Sequence, residues 1–208
     1  MSTHDHLYSG ERQVAPTLDG IRADHVARYE FAARYTKGCH GVLDAPCGVG
    51  YGTALLLDRN AGPAGLAWVV GIDACEAAIV FAREHYARVD VVFEACNLPG
   101  EQGRIPVSLV VCFEGLEHVG DDAALLAWFH ACLEPGGLLI ASVPNGDTTQ
   151  LVNKWHLHRY APQAFEDLLT GAGFEIVSKH SQVSRDDYAI RDGWDGDTLI
   201  AVCRKVAP

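Results

Sequence analysis

Basic residues are scarce: 16 Lys and Arg stand against 27 Asp and Glu in 208 residues, a formal charge of −11. A surface of that sign repels a phosphate backbone over most of its area, so nucleic acid is not expected as the main partner. Long apolar runs are also missing. Stretches such as 66–72 and 107–113 stop far short of the ~18 residues a membrane span requires, and the polar opening residues carry no apolar signal core. A cytoplasmic protein without a membrane association is the expectation. The seven cysteines include no C-x-x-C pair, and an odd, scattered set lying partly within apolar runs excludes a zinc ribbon and a disulfide framework. With 49% hydrophobic and 21% charged residues, disorder is excluded as well.

What is present is an alternation of periods. Residues 1–20 hold Gly10, Pro16 and Gly20 among polar residues and are expected to form a flexible tail or flap, with residues 21–208 as a single domain. Helical spacing over 21–35 leads into a short apolar strand at 41–45. Helices near 53–59, 75–86 and 121–133 then alternate with strands near 67–72, 90–93, 108–113 and 138–143. Apolar strands separated by helices imply an α/β doubly wound, mostly parallel sheet with helices on both faces. After a last helix at 162–171, two strands at 174–181 and 198–205 follow with no helix between them, which places an antiparallel pair at the sheet edge.

The first strand runs into Asp44-Ala45-Pro46-Cys47-Gly48-Val49-Gly50-Tyr51-Gly52-Thr53. A glycine loop at the carboxyl end of a strand, followed by a helix, is where such sheets bind ligands, and its glycines let backbone approach a ligand closely. Asp73 closes the second strand about 20 residues further on, where an acidic side chain can accept both hydroxyls of a ribose. An adenosine-bearing cofactor follows, either a nicotinamide dinucleotide or S-adenosylmethionine. The dinucleotide fingerprint needs a third glycine where Thr53 stands, which disfavours it.

Leu43 to Gly52, with Gly71-Ile72-Asp73 and Leu133-Glu134-Pro135-Gly136-Gly137, resembles the class I S-adenosylmethionine-dependent methyltransferases over about residues 20–180. The resemblance implies S-adenosylmethionine as cofactor and a Rossmann-like sheet of seven strands, the last inserted antiparallel. It implies cofactor contacts from Asp44, Ala45, Cys47, Gly48 and Gly50 in the loop, with Gly48 and Gly50 against the methionine portion. It further implies contacts from Asp73 and Ala74 at the ribose, and from Glu94 and Ala95 at the adenine, Glu94 standing where that family more often has Asp. Cys112 to Val119 would lie beside the methyl sulfonium, with Phe113 as a cofactor contact. The amino-terminal Gly10-Glu11-Arg12 and His25 to Glu30 are similar to bacterial methyltransferases of glycan and deoxysugar pathways. There Arg28 or Tyr29 could reach the methionine carboxylate.

Methyl transfer needs an acceptor lone pair aligned with the methyl carbon and, for a hydroxyl, removal of its proton. His118 suits the second task, with Glu114 or Glu117 to orient its ring. Glu114-x-x-Glu117-His118, with His156 downstream ahead of Tyr160 and Pro162, is similar to small-RNA terminal 2′-O-methyltransferases and ubiquinone-type O-methyltransferases. That resemblance implies a divalent metal, magnesium above all, on Glu114, Glu117, His118 and His156, with His158 as an alternative ligand. His118, Glu114 and His156 are therefore the candidate catalytic residues. The amino-terminal tail, segment 144–160 and the acidic 185–197, with Trp194, are left to form an acceptor pocket, alone or in a homodimer. The expected activity is methylation of a hydroxyl, less so an amine, of a sugar or other small polar metabolite. A metal-assisted O-methyltransferase of a diol, quinone precursor or RNA terminus is the alternative, followed by a nicotinamide-dependent oxidoreductase and a non-catalytic binding protein.

Overall fold

A computed structural model describes residues 7, 10, 12–60, 65–100, 106–148, 153–184 and 186–206. Most of the expected tail, with its histidines His4 and His6, lies outside the described residues, as do Arg185 and residues 149–152 of the expected acceptor loops. The chain divides into two compact units, residues 1–100 and 101–208.

The first unit alternates helix and strand: α1 (Ala23–Ala33), β1 (Gly41–Asp44), α2 (Tyr51–Asp58), β2 (Trp68–Asp73), α3 (Glu76–His85) and β3 (Val91–Ala95). All four residues of β1 are buried, as are five of the six in β2, which is the continuous apolar signature of parallel strands covered on both faces. β1 pairs parallel with β2, Asp44 opposite Gly71, and β2 pairs parallel with β3, Asp73 opposite Ala95. These registers bring the carboxyl ends of β1, β2 and β3, with the glycine loop and Asp73, to one edge. In α2 every residue from Tyr51 to Leu57 is buried, so this helix packs all round and offers no polar face.

The second unit holds β4 (Val107–Phe113), α4 (Asp122–Cys132), β5 (Leu133–Pro144), α5 (Pro162–Gly171), β6 (Phe174–Gln182), β7 (Ile190–Asp192) and β8 (Thr198–Lys205). Its strand order is β4-β5-β8-β6-β7. β4 and β5 pair parallel, and every later pairing is antiparallel, with β8 inserted between β5 and β6. Among the described residues the strands therefore number eight, not the expected seven. The addition is β7, three residues inside the acidic 185–197 stretch, too short to show a period of two in sequence. β5 also starts five residues earlier than its apolar run, taking in Glu134-Pro135-Gly136-Gly137, with a register shift between Val107 and Leu109. Asp121 caps α4 by accepting the Ala124 N–H at 2.8 Å, and Pro162 opens α5, where a missing N–H costs nothing.

Candidate functional site

In the first unit the glycine loop is held from below. The Cys47 N–H donates to the Ile72 carbonyl at 2.9 Å, tying the loop to β2. Gly48 has φ 56°, and a Cβ there would meet nothing within 4 Å. It is thus a left-handed turn that faces open space. The Gly48 N–H donates to Asp73 Oδ2 at 2.9 Å, and the Cys75 N–H to Oδ1 at 2.8 Å. Two backbone donors fix the Asp73 carboxylate against the loop. A third donor comes from the segment expected to be a tail: Arg12 Nη2 lies 3.0 Å from Asp73 Oδ1. Sequence reasoning missed it, because only the fold joins residues 61 apart.

Asp44 is the buried anchor of this loop. Its carboxylate accepts the Thr53 hydroxyl at 2.6 Å and the Tyr29 hydroxyl at 3.1 and 3.3 Å. Burial pushes its carboxyl up to about 7, against the pull of those two hydroxyls. Thr53 therefore holds Asp44 at the place where a dinucleotide fingerprint would need glycine. Tyr29 crosses directly over α2: a Cβ on Gly52 would sit 2.0 Å from its ring, so any larger residue there must displace that ring. Arg28 is buried, with Nη1 3.8 Å from Asp24 Oδ2 one helical turn earlier. Burial also pushes the Cys47 thiol up, so it acts as a small apolar group, not a nucleophile. Ala45 is fully buried under the loop, whereas Ala74 and Ala95 are exposed and Glu94 half-buried.

In the second unit Phe113 closes β4, and Glu114 follows with φ 49°, a left-handed backbone unusual for a residue with a Cβ. Glu114 is turned toward β5. Its N–H donates to the Ser142 carbonyl at 3.0 Å, and its Oε1 accepts the Ser142 hydroxyl at 2.9 Å. The next turn, 116–118, carries Glu117 and His118. Glu117 is buried and His118 half-exposed, with His118 Nε2 4.0 Å from Glu117 Oε1. The Glu117 carbonyl accepts N–H groups from Leu157 at 2.7 Å and His158 at 3.3 Å, which staples segment 155–158 to this turn. Consequently His156 meets His118, ring centroids 4.9 Å apart and nearly perpendicular.

Glu117, His118 and His156 each offer one ligand atom, all within 4.8 Å of one another. Of the four expected metal ligands, three come together. Glu114 does not join them, because its carboxylate is bound to Ser142. His158 is also elsewhere, with Nε2 2.8 Å from the Val119 carbonyl. Tyr160 anchors the segment by donating to Asp122 Oδ2 at 2.6 Å, and burial raises its hydroxyl pKa. In the acidic stretch Trp194 donates to the Ile200 carbonyl at 2.9 Å and lies under Lys179.

Parallel strands alternating with helices, and a glycine loop and acidic residue at the carboxyl ends of β1 and β2, make this an α/β Rossmann-like protein. The sequence matches the methyltransferase domain family over residues 22–179, and the chain belongs to that family. It is 34% identical over 180 residues to a Mycolicibacterium smegmatis protein described as a "Probable S-adenosylmethionine-dependent methyltransferase", covering 81% of this chain and 65% of the relative. The chain thus spans just under two thirds of that relative's length. It is also 34% identical over 110 residues, 50% of this chain and 44% of the relative, to a ubiquinone biosynthesis O-methyltransferase of Pseudomonas paraeruginosa. Among solved structures, the N-methyltransferase NodS of Bradyrhizobium japonicum, in complex with S-adenosyl-l-homocysteine, superposes with a TM-score of 0.73 at 18% identity, covering 99% of both chains. That likeness concerns the fold alone.

Proposed function

We propose that the protein is an S-adenosylmethionine-dependent methyltransferase acting on a hydroxyl of a sugar or other small polar metabolite, and that residues 21–208 work as one methyltransferase domain. The carrying observation is the Asp73 carboxylate pinned to the Gly48 N–H of an open glycine loop at the end of β2. That pairing sets a ribose acceptor beside backbone that a cofactor can approach. The relatives described as S-adenosylmethionine-dependent methyltransferases supply the cofactor's identity, and the O-methyltransferase relative favours a hydroxyl acceptor over an amine.

His118 is the proton acceptor in this reading. Its Nδ1 lies 3.0 Å from the Trp155 carbonyl, a partner that can only accept, so Nδ1 carries the proton and Nε2 keeps its lone pair. Glu117 at 4.0 Å then stabilises the imidazolium formed when the acceptor proton is taken. Calorimetric titration with S-adenosylhomocysteine tests the cofactor assignment. One-site binding by the wild type that is lost in Asp73→Ala supports it, and no binding by the folded wild type overturns it.

A second reading has a specific observation behind it. Glu117, His118 and His156 form a mixed nitrogen and oxygen donor set that suits a divalent cation, and His118 already donates its other ring nitrogen to a carbonyl, as metal-bound histidines do. A cation held there would supply Lewis acidity to an acceptor hydroxyl or diol. Direct titration with manganese separates the two readings: binding by the wild type that His156→Ala removes favours the metal, and no binding leaves His118 as a base alone.

A further inference from the structure

An ionised carboxylate offers about four lone-pair sites. Asp73 has committed three of them: Oδ1 to Arg12 Nη2 at 3.0 Å and to the Cys75 N–H at 2.8 Å, and Oδ2 to the Gly48 N–H at 2.9 Å. About one remains, whereas a ribose diol brings two hydroxyl donors. One of the three donors has to leave before both hydroxyls can bind. The Gly48 and Cys75 N–H groups are fixed in the strand-to-helix turns at either side of the carboxylate. Arg12 is a side chain 28% exposed to solvent, and it is the one that can move.

We infer that segment 12–21 is a strap whose Arg12 occupies the ribose acceptor in the cofactor-free protein and is exchanged for the nucleoside hydroxyls on binding. The strap has an anchored end and a latch. Its anchor is Ala15 to Ile21: Ala15 and Ile21 are buried, and the Ala15 carbonyl accepts the Tyr86 hydroxyl at 2.6 Å. Its latch is Arg12, three residues beyond that anchor. Exchange replaces an ion pair between two charged side chains by hydrogen bonds from two uncharged hydroxyls to the carboxylate, so the cofactor-free state is held by an interaction that salt weakens more. Arg12 thereby couples occupancy of the nucleoside site to release of residues 12–14. The inference rests on the assignment of Asp73 to the ribose made above.

The test compares S-adenosylhomocysteine binding by wild type, Arg12→Ala and Arg12→Gln at low and high salt, with circular dichroism to confirm folding. The expected result is binding roughly two- to fivefold tighter in both variants than in wild type at low salt, the range of a partly exposed ion pair. Raising the salt is expected to tighten binding by the wild type and to leave the variants unchanged. Hydrogen exchange of the amides at 12–15 is expected to speed up when the wild type is saturated with S-adenosylhomocysteine. Equal or weaker binding by both variants, with the wild type binding normally, overturns the strap alone. Failure of the folded wild type to bind overturns the cofactor reading and the strap with it.

Discussion

Asp44 shows how one side chain ties the loop's chemistry to its stability. Burial raises its carboxyl from 3.8 to about 7, so the folded protein keeps a proton there that the unfolded chain releases between those values. The folded state binds more protons in that window, and stability therefore falls as pH rises through it and levels off above about 7. The full effect is on the order of 4 kcal/mol. Asp44→Asn should flatten this dependence, and urea melts of both proteins at pH ~5 and ~8 check it; an unchanged slope would refute it. His118 belongs to the same scale. His118→Ala should lower kcat by about a hundredfold or more while leaving S-adenosylhomocysteine affinity within error, since in the proposed reading the residue moves a proton of the acceptor and supplies no cofactor contact. A KM effect without a kcat effect would instead make it an acceptor-binding residue.

At the level of elements, the contact between α1 and α2 decides whether the loop can form. Tyr29 reaches Asp44 only because Gly52 leaves its ring room. Gly52→Ala should cost about 1–3 kcal/mol, the usual range for overpacking, and should weaken cofactor binding as the ring shifts from Asp44. Thermal melts read the first effect and calorimetry the second. The elements were largely legible in sequence, because helices of period 3.6 and apolar parallel strands leave strong local patterns. β7 was not, since its three residues gain strand geometry only by pairing with β6, His180 opposite Asp192. The glycine loop after β1 was legible for the same local reason. Glu114 and Glu117 were not separable, because both precede His118 within one turn, and only the hydroxyl of Ser142 on the neighbouring strand draws Glu114 away.

For the whole molecule the decisive quantity is charge. With −11 overall, an RNA oligonucleotide bearing a free terminal 2′-hydroxyl should not be retained in a filter-binding assay even at low salt. Retention that fades with salt would move the acceptor from a small metabolite to RNA. No helix among the described residues is long and apolar enough to cross a membrane, and the family match runs through both compact units.

Composition, periodicity and the order of three short motifs by themselves determined the α/β class, the family and the position of the glycine loop, since each depends on residues close together in the chain. The tertiary structure decided the partners of the charged groups. Arg12 lies on Asp73, Thr53 and Tyr29 lie on Asp44, and His156 lies with Glu117 and His118 because side chains far apart in sequence meet only when strands and helices pack. A buried carboxylate must find donors wherever the fold supplies them, and no local pattern encodes which residues those will be.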